Sequence, residues 1–227
     1  DRARELLRSA GVSAPAPLVS PTTGPLAAPE RPGAAQLLAR AFRDNPLNVA
    51  VIGAGDPQRR LASNLCGMRS LLPVALAHGF VLGARAAGSL AGALIATPPH
   101  AYPLPPPSLA SRLRCLVGQG RRVGRRWREV FEVLDALHPL EPHWYLGTLG
   151  VDPPHQGCGV GTALVGRWLA HADRDATDAY LETDVFANVG FYARAGFEVE
   201  GEAEVLGARV WRMRRPARRL GSSGAGG

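Results

Sequence analysis

The chain contains no lysine: all 26 of its basic side chains are arginine, set against 19 carboxylates in 227 residues. That absence removes a nucleoside-triphosphate loop of the Gly-Lys-Ser/Thr kind and any modification of the chain on lysines of its own. Cysteine is scarce. Cys66, Cys115 and Cys158 are odd in number and far apart, which excludes a disulfide framework and a zinc pattern and makes a reducing cytoplasm the expected location. Long apolar runs are missing too. The longest, around residues 71–82 and 86–96, are short and broken by Pro73, His78 and several glycines, so no membrane span is expected. The opening Asp1-Arg2-Ala3-Arg4-Glu5 has no apolar core, so no signal peptide is expected, and Asp1 in place of methionine reads as a trimmed start.

What is plentiful is alanine, glycine, proline and arginine, a composition in keeping with a GC-rich coding sequence. The length suits one domain with a good core. Charge is uneven: residues 1–150 hold 17 Arg against 9 acids, and residues 151–227 hold 9 Arg against 10 acids. The first half is therefore the basic half.

Residues 1–32 are proline-rich and read as an irregular segment, with a frayed helix at 2–10 and a short strand near Leu18. One domain is expected over 33–215. It begins with a helix at 33–43, stopped before Pro46. Asp56 and Pro57 read as N-cap and first residue of a helix to about His78, kinked or interrupted at Pro73. Strands at 80–85 and 89–97 flank a tight turn, and 98–107 is a proline-rich loop. Leu113, Leu116, Val117, Val123, Trp127, Val130, Phe131, Leu134 and Leu137 then recur at helical spacing. Arg121, Arg122, Arg125, Arg126 and Arg128 mostly cover the opposite face, and Gly118, Gly120 and Gly124 leave one helix or two open. Beyond it the reading is strand 143–151, helix 160–172, strand 179–185, short helix 188–194, and a closing hairpin 197–204 with 208–214. Residues 216–227 read as a flexible tail. The alternation implies an α/β sheet with helices on both faces.

The most informative stretch is Gly150-Val151-Asp152-Pro153-Pro154-His155-Gln156-Gly157-Cys158-Gly159-Val160-Gly161-Thr162. It reads as a strand end, a glycine turn with the spacing Q-x-x-G-x-G, and a helix start. Such a turn gathers backbone N–H groups at a helix N-terminus, which suits a phosphate or pyrophosphate. The dinucleotide spacing G-x-G-x-x-G fails, because Leu164 stands three residues beyond Gly161. A plain tight turn is the competing reading. Downstream, Asn188-Val189-Gly190-Phe191-Tyr192 is followed by Gly196-Phe197.

Together, L-G-V-x-P-x-x-Q-G-x-G-x-G and N-x-x-F-Y-x-x-x-G-F resemble the GCN5-related N-acetyltransferase (GNAT) family, strongly over 141–215. The run from His138 to Leu146 and the ending Arg209-Val210-Trp211-Arg212-Met213 resemble its puromycin N-acetyltransferase branch. The resemblance implies a mixed, mostly antiparallel central sheet of six to seven strands, with a splayed central strand pair and helices on both faces. It implies acetyl-CoA as cosubstrate and no metal. The pyrophosphate would sit on Gln156, Gly157, Cys158, Gly159, Val160, Gly161 and Thr162. The pantetheine arm would run beside Leu149, Gly150 and Val151, with Asn188 bonding to it. Cys158 stands where the family often has a basic residue, and Gly190 where the branch often has proline.

Tyr192 is the catalytic candidate that donates a proton to the departing thiolate. Glu182, on the flanking strand, is the first choice for base or ammonium anchor, with an exposed surface carboxylate as the equal alternative. Glu141 and His143 are weaker choices. His138 and His143 lack a third ligand at sensible spacing, so a structural role outweighs a metal pair. The implied activity is acetyl transfer to a primary amine of a small molecule. Alternatives are a protein or peptide amine, or an acyl-CoA-binding module without turnover. Nucleic acid on Arg121–Arg128 is disfavoured against a solvated helix face. No membrane partner is expected, and monomer and homodimer both stay open. Segment 98–137 is expected to cover the acceptor side of the cleft.

Overall fold

Two hairpins with left-handed turns organise the sheet. A computed structural model describes residues 21–53 and 55–218. In it, β2 (Phe80–Ala86) and β3 (Ser89–Thr97) meet through Ala87 and Gly88, at φ 48° and 80°. The pair β6 (Glu198–Val205) and β7 (Ala208–Arg215) meets through Leu206 and Gly207, at φ 53° and 79°. Two successive positive φ values match the twist of antiparallel strands in a two-residue loop. With β1 (Thr22–Pro25), β4 (Trp144–Val151) and β5 (Ala179–Thr183) these strands form one seven-stranded sheet. Its order is β1-β2-β3-β4-β5-β7-β6, and β4–β5 is its parallel pair. The expected mixed, mostly antiparallel sheet is present.

Helices cover both faces. On one, α6 (Val160–Arg174) and α7 (Phe186–Arg194) close a core around Trp168, Leu164, Leu181 and Phe197. On the other, α1 (Arg31–Ala41) and α3 (Pro57–His78) pack through Leu37, Leu38 and Leu72 on Ile95. Beside them, α2 (Pro46–Ile52) and α5 (Arg121–Leu137) pack through Val51, Ile52, Val123 and Val130 onto Val210 of β7. Between α3 and α5 lies α4 (Leu109–Gln119), separated from α5 by Gly120 at φ 85°. The helical segment over 109–137 is thus two helices.

Several sequence expectations need correction. Residues 1–32 are not irregular throughout: Thr22–Pro25 pairs with β2, and α1 begins at Arg31. Pro25 is tolerated because β1 is an edge strand, and Glu30, ion-paired with Arg85 of β2, pins the following turn. The helix expected at 2–10, the strand near Leu18 and most of the 216–227 tail lie outside the described residues. Helix α2 has no counterpart in the sequence reading. Pro73 does not interrupt α3; it sits on the exposed side of the helix, where a missing backbone hydrogen bond costs least. Cys66 and Cys115, read as unrelated, bring their thiols within 2.9 Å where α4 lies on α3. Burial, reinforced by Cys115, pushes the Cys66 thiol up to about 11.

Arg215, 3% exposed, grips Asp173 at 2.7 and 2.9 Å and fastens the end of α6 to β7. The Arg215 hydrogen bond holds the Asp173 carboxyl below its ordinary value, helped by the Arg218 amide. Asp173→Ala leaves a buried guanidinium unpaired and is expected to cost about 3 kcal/mol in urea unfolding at pH 7. A carboxyl depressed in the folded state stabilises above its unfolded value and loses that contribution as pH falls through the folded one. The gap between variant and parent should therefore close as pH falls below about 4.

Candidate active site

The site begins with a bulge. Thr148 pairs with Ile95 and Leu146 with Ala96, so Gly147 is an extra residue in β4. Parallel pairing between β4 and β5 runs only from Trp144↔Ala179 to Leu146↔Leu181. Beyond that point the two strands part, and the edge of Gly147–Val151 faces a cleft. This is the splayed pair.

A cavity of about 940 Å³ fills the opening. Leu149, Val151, Gln156, Gly157, Gly159, Val160, Gly161, Thr162, Glu182, Asn188 and Tyr192 all line it. Two expected cofactor residues, Gly150 and Cys158, are not among its lining residues. A Cβ on Gly150 would come 2.6 Å from Leu38 Cδ2, so that glycine serves the packing of α1. Cys158 is exposed, with its thiol 3.6 Å from the Gln156 carbonyl.

The glycine turn is held from its own chain. The Gln156 side-chain amide donates to the Val151 carbonyl at 3.2 Å, and Asp152 is gripped by Arg40 at 2.8 and 2.7 Å. Gly157 and Gly159 adopt φ 76° and 80°, a region costly for residues with a Cβ. The first helical bond of α6 runs from the Ala163 amide to the Gly159 carbonyl at 3.0 Å. Val160, Gly161 and Thr162 precede it, so their amides have no partner within the helix, and all three residues line the cavity. Arg40, paired with Asp152, Arg43, paired with Asp44, and Arg194 also line the rim. A dianionic, phosphate-bearing chain fits this wall.

Tyr192 sits on α7 with its ring packed against Phe191 and Phe197, and is 6% exposed. Burial pushes its phenol well above the ordinary value, so it keeps its proton across the physiological range. Asn188, one turn earlier, donates to Thr183 Oγ1 at 3.4 Å.

A second cavity of about 520 Å³ meets the first at Phe42, Gly147, Thr148, Glu182, Thr183 and Asp184. Its walls are mainly apolar, with Met68 and Leu71 from α3 and Trp127, Val130, Phe131 and Leu134 from α5. Segment 98–137 therefore supplies much of its lining. Among the described residues Glu182 and Asp184 are the charged side chains that line it. Glu182 is not the exposed carboxylate of the alternative reading: its side chain is 6% exposed, and Oε1 lies 3.7 Å from His138 Nδ1. The phenols of Tyr145 and Tyr180 are pushed up by burial first and by the neighbouring Glu182 carboxylate next.

Asp184 was missed. Burial raises its carboxyl above the ordinary value, and it accepts the Leu47 amide at 2.7 Å, capping α2. The signal was present in Glu182-Thr183-Asp184, since alternate residues of a strand share a face. Glu141 is exposed, 3.8 Å from Arg214. Arg121, Arg122, Arg125 and Arg128 face solvent, while Arg126 bonds to the Ala50 carbonyl at 2.7 Å.

The profile of the acetyltransferase (GNAT) family matches residues 76–197. The chain belongs to that family. Over 61 residues it is 38% identical to the peptidyl-lysine N-acetyltransferase YjaB of Escherichia coli K12, a stretch that is 27% of this chain and 40% of that protein's length. Among solved structures it is similar to one described as histone acetyltransferase HPA2 and related acetyltransferase from Corynebacterium glutamicum. The TM-score is 0.64 at 22% identity, covering 89% of this chain and all of the other. It is also similar to a PaiA N-acetyltransferase of Thermoplasma acidophilum in complex with coenzyme A, with a TM-score of 0.56 at 12% identity, covering 87 and 99%. These likenesses establish a shared fold. No helix among the described residues is long and apolar enough to cross a membrane.

Proposed function

We propose that the chain transfers the acetyl group of acetyl-CoA directly to a primary amine on a small molecule with an apolar body. The observation that carries this reading is the meeting of two unlike cavities at the Gly147 bulge. One is lined by the glycine turn at the start of α6, with Arg40, Arg43 and Arg194 on its rim. The other is mainly apolar, with two carboxylates at the junction. The first suits the pyrophosphate and pantetheine of CoA, the second an alkyl- or arylammonium ion entering amine first.

In this reading the acceptor sheds a proton to Glu182 and its nitrogen attacks the thioester carbon. The C–S bond breaks as Tyr192 donates its proton to the departing sulfur, and the second proton, shed by the newly acylated nitrogen, restores the Tyr192 phenol. Two arguments weigh against the competing readings. Side chains of α5 line the acceptor cavity, which suits a compact apolar amine better than a peptide, and Tyr192 with Asn188 is more machinery than a binding module without turnover needs.

Thiol release from acetyl-CoA, followed over a panel of amines that includes puromycin, phenethylamine, spermidine and lysine peptides, tests the proposal. The apolar monoamines and puromycin should give kcat/KM at least tenfold above spermidine and the peptides. Equal or faster turnover of a lysine peptide would overturn the small-molecule assignment.

A further inference from the structure

We propose that the proton released by the acceptor is shared between Glu182 and a histidine buried behind it, His138, with His143 fixing the tautomer of His138. The inference rests on reading the apolar cavity as the amine site. It goes further by giving the base a second proton site.

The argument starts from the His143 ring. Its Nδ1 lies 2.7 Å from the Glu141 carbonyl. A carbonyl oxygen only accepts, so Nδ1 carries the hydrogen. His143 is 4% exposed, and burial, with Glu141's carbonyl working against it and His138 and Arg214 nearby, pushes its protonation down. In the neutral ring Nε2 is then an acceptor. His138 Nε2 lies 2.8 Å from it, so His138 must donate there.

That leaves His138 Nδ1, which faces Glu182 Oε1 at 3.7 Å. A hydrogen sits on this nitrogen only when His138 is an imidazolium. The pair therefore has two states: a carboxylate beside a neutral ring, and the same pair holding one more proton. Oε1 of Glu182 is buried and takes no hydrogen bond. The separation is ion-pair distance, and an approach of about 1 Å makes a hydrogen bond.

The His138 ring is held for this task. Tyr102 stacks flat on it at 3.8 Å and 4° and donates its own hydroxyl to Asp135 at 2.8 Å, while Tyr180 meets it edge-on at 5.1 Å. The other charged groups around the pair are already occupied. Arg212 of β7 donates to the Leu137 carbonyl and lies 3.9 Å from Glu200 of β6. Arg214 of β7 is paired with Asp178 and Glu141. Tyr145 of β4 completes the ring of titratable neighbours. Among the described residues, His138 is the ion-pair partner of Glu182 within 4 Å. A carboxylate this buried needs such a partner.

Substituting His138→Gln keeps a donor toward His143 and removes the titration. It should lower kcat tenfold or more and move the acid limb of the kcat profile down by about one pH unit, because the released proton can then sit only on Glu182. KM for acetyl-CoA and the thermal midpoint should stay near parental values. An unchanged pH profile would overturn the proposal, whatever the loss of rate. An activity-free arm uses ¹⁵N-labelled histidine in the free protein. Glu182→Gln should move the His138 Nδ1 resonance, and an unmoved resonance would equally overturn it. Inactivity of the parent on every amine would sink the amine-site reading, while the ¹⁵N arm would still decide whether the proton is shared.

Discussion

Tyr192→Phe is expected to lower kcat about a hundredfold while acetyl-CoA affinity and stability stay close to those of the parent. The substitution removes one oxygen. The ring stays where it is, packed in the core with Phe191 and Phe197. The affected step is departure of the thiolate, which leaves more easily when a proton arrives with it; a positioned acid is worth about 10²–10⁴ in rate. A hundredfold loss corresponds to about 2.7 kcal/mol of transition-state stabilisation. Burial holds the phenol protonated above its ordinary range, so the parent should show no alkaline loss of kcat from this group below about pH 10. Steady-state kinetics with saturating amine, paired with calorimetric titration of CoA, separates the two effects. A kcat within twofold of the parent would place the acid elsewhere.

In the proposed reaction, two carboxylates at the junction of the cavities are candidates for the base. Asp184 is the more conspicuous, its carboxyl raised by partial burial, but it is already spent on the Leu47 amide at the start of α2. Glu182 caps nothing, lines both cavities and leaves Oε1 without a hydrogen bond. A group that must take up a proton and release it cannot also be the fixed cap of a helix. Asp184 is better suited to holding the mouth of the acceptor cavity and its negative potential, with Glu182 as the exchanging partner.

How far the sequence could be read follows from where each feature gets its energy. The turn from Gln156 to Thr162 was legible because its chemistry is local: glycines that reach positive φ, followed by a helix start. The β2–β3 and β6–β7 hairpins were legible for the same reason. Helix α2 was not, because its cap is Asp184, 137 residues away in the chain. Strand β1, Thr22-Thr23-Gly24-Pro25, has no pattern of its own and owes its form to pairing with β2. Asp184 was overlooked because its place depends on contacts distant in the chain, the Leu47 amide among them. The strand ends at Thr183, which turns Asp184 from a strand residue into the lip between two cavities. The splay of β4 and β5 came from resemblance, but its physical cause, the extra Gly147, is written only in the pairing with β3. His138 and His143 were weighed as a metal pair and set aside for want of a third ligand, because the sequence cannot show that Glu182 approaches one of them.

Gly159→Val is expected to weaken CoA binding by a hundredfold or more, and the reason is a space the protein itself leaves open. A Cβ built on Gly159, or on Gly157, meets no protein atom within 4 Å. Nothing in the fold forbids a side chain there by contact. Two other effects do the damage. At φ 80° a β-branched residue costs about 1–2 kcal/mol of backbone strain. The same open space is also where a pyrophosphate would approach the amides of Val160, Gly161 and Thr162. A purely structural turn would register only the first effect, as a lower thermal midpoint. A phosphate seat registers both, and the second depends on the ligand. Titrating the variant with CoA and with acetyl-pantetheine, which lacks the nucleotide and its phosphates, separates them: the loss should be large for CoA and small for the truncated thioester. Gly166→Ala, on the same helix with no atom near its Cβ direction, should leave CoA binding unchanged and raise stability by about 0.5–1 kcal/mol. Equal losses on both ligands would return the glycine turn to an ordinary strand–helix connection and remove the anchor on which the rest of the cleft is read.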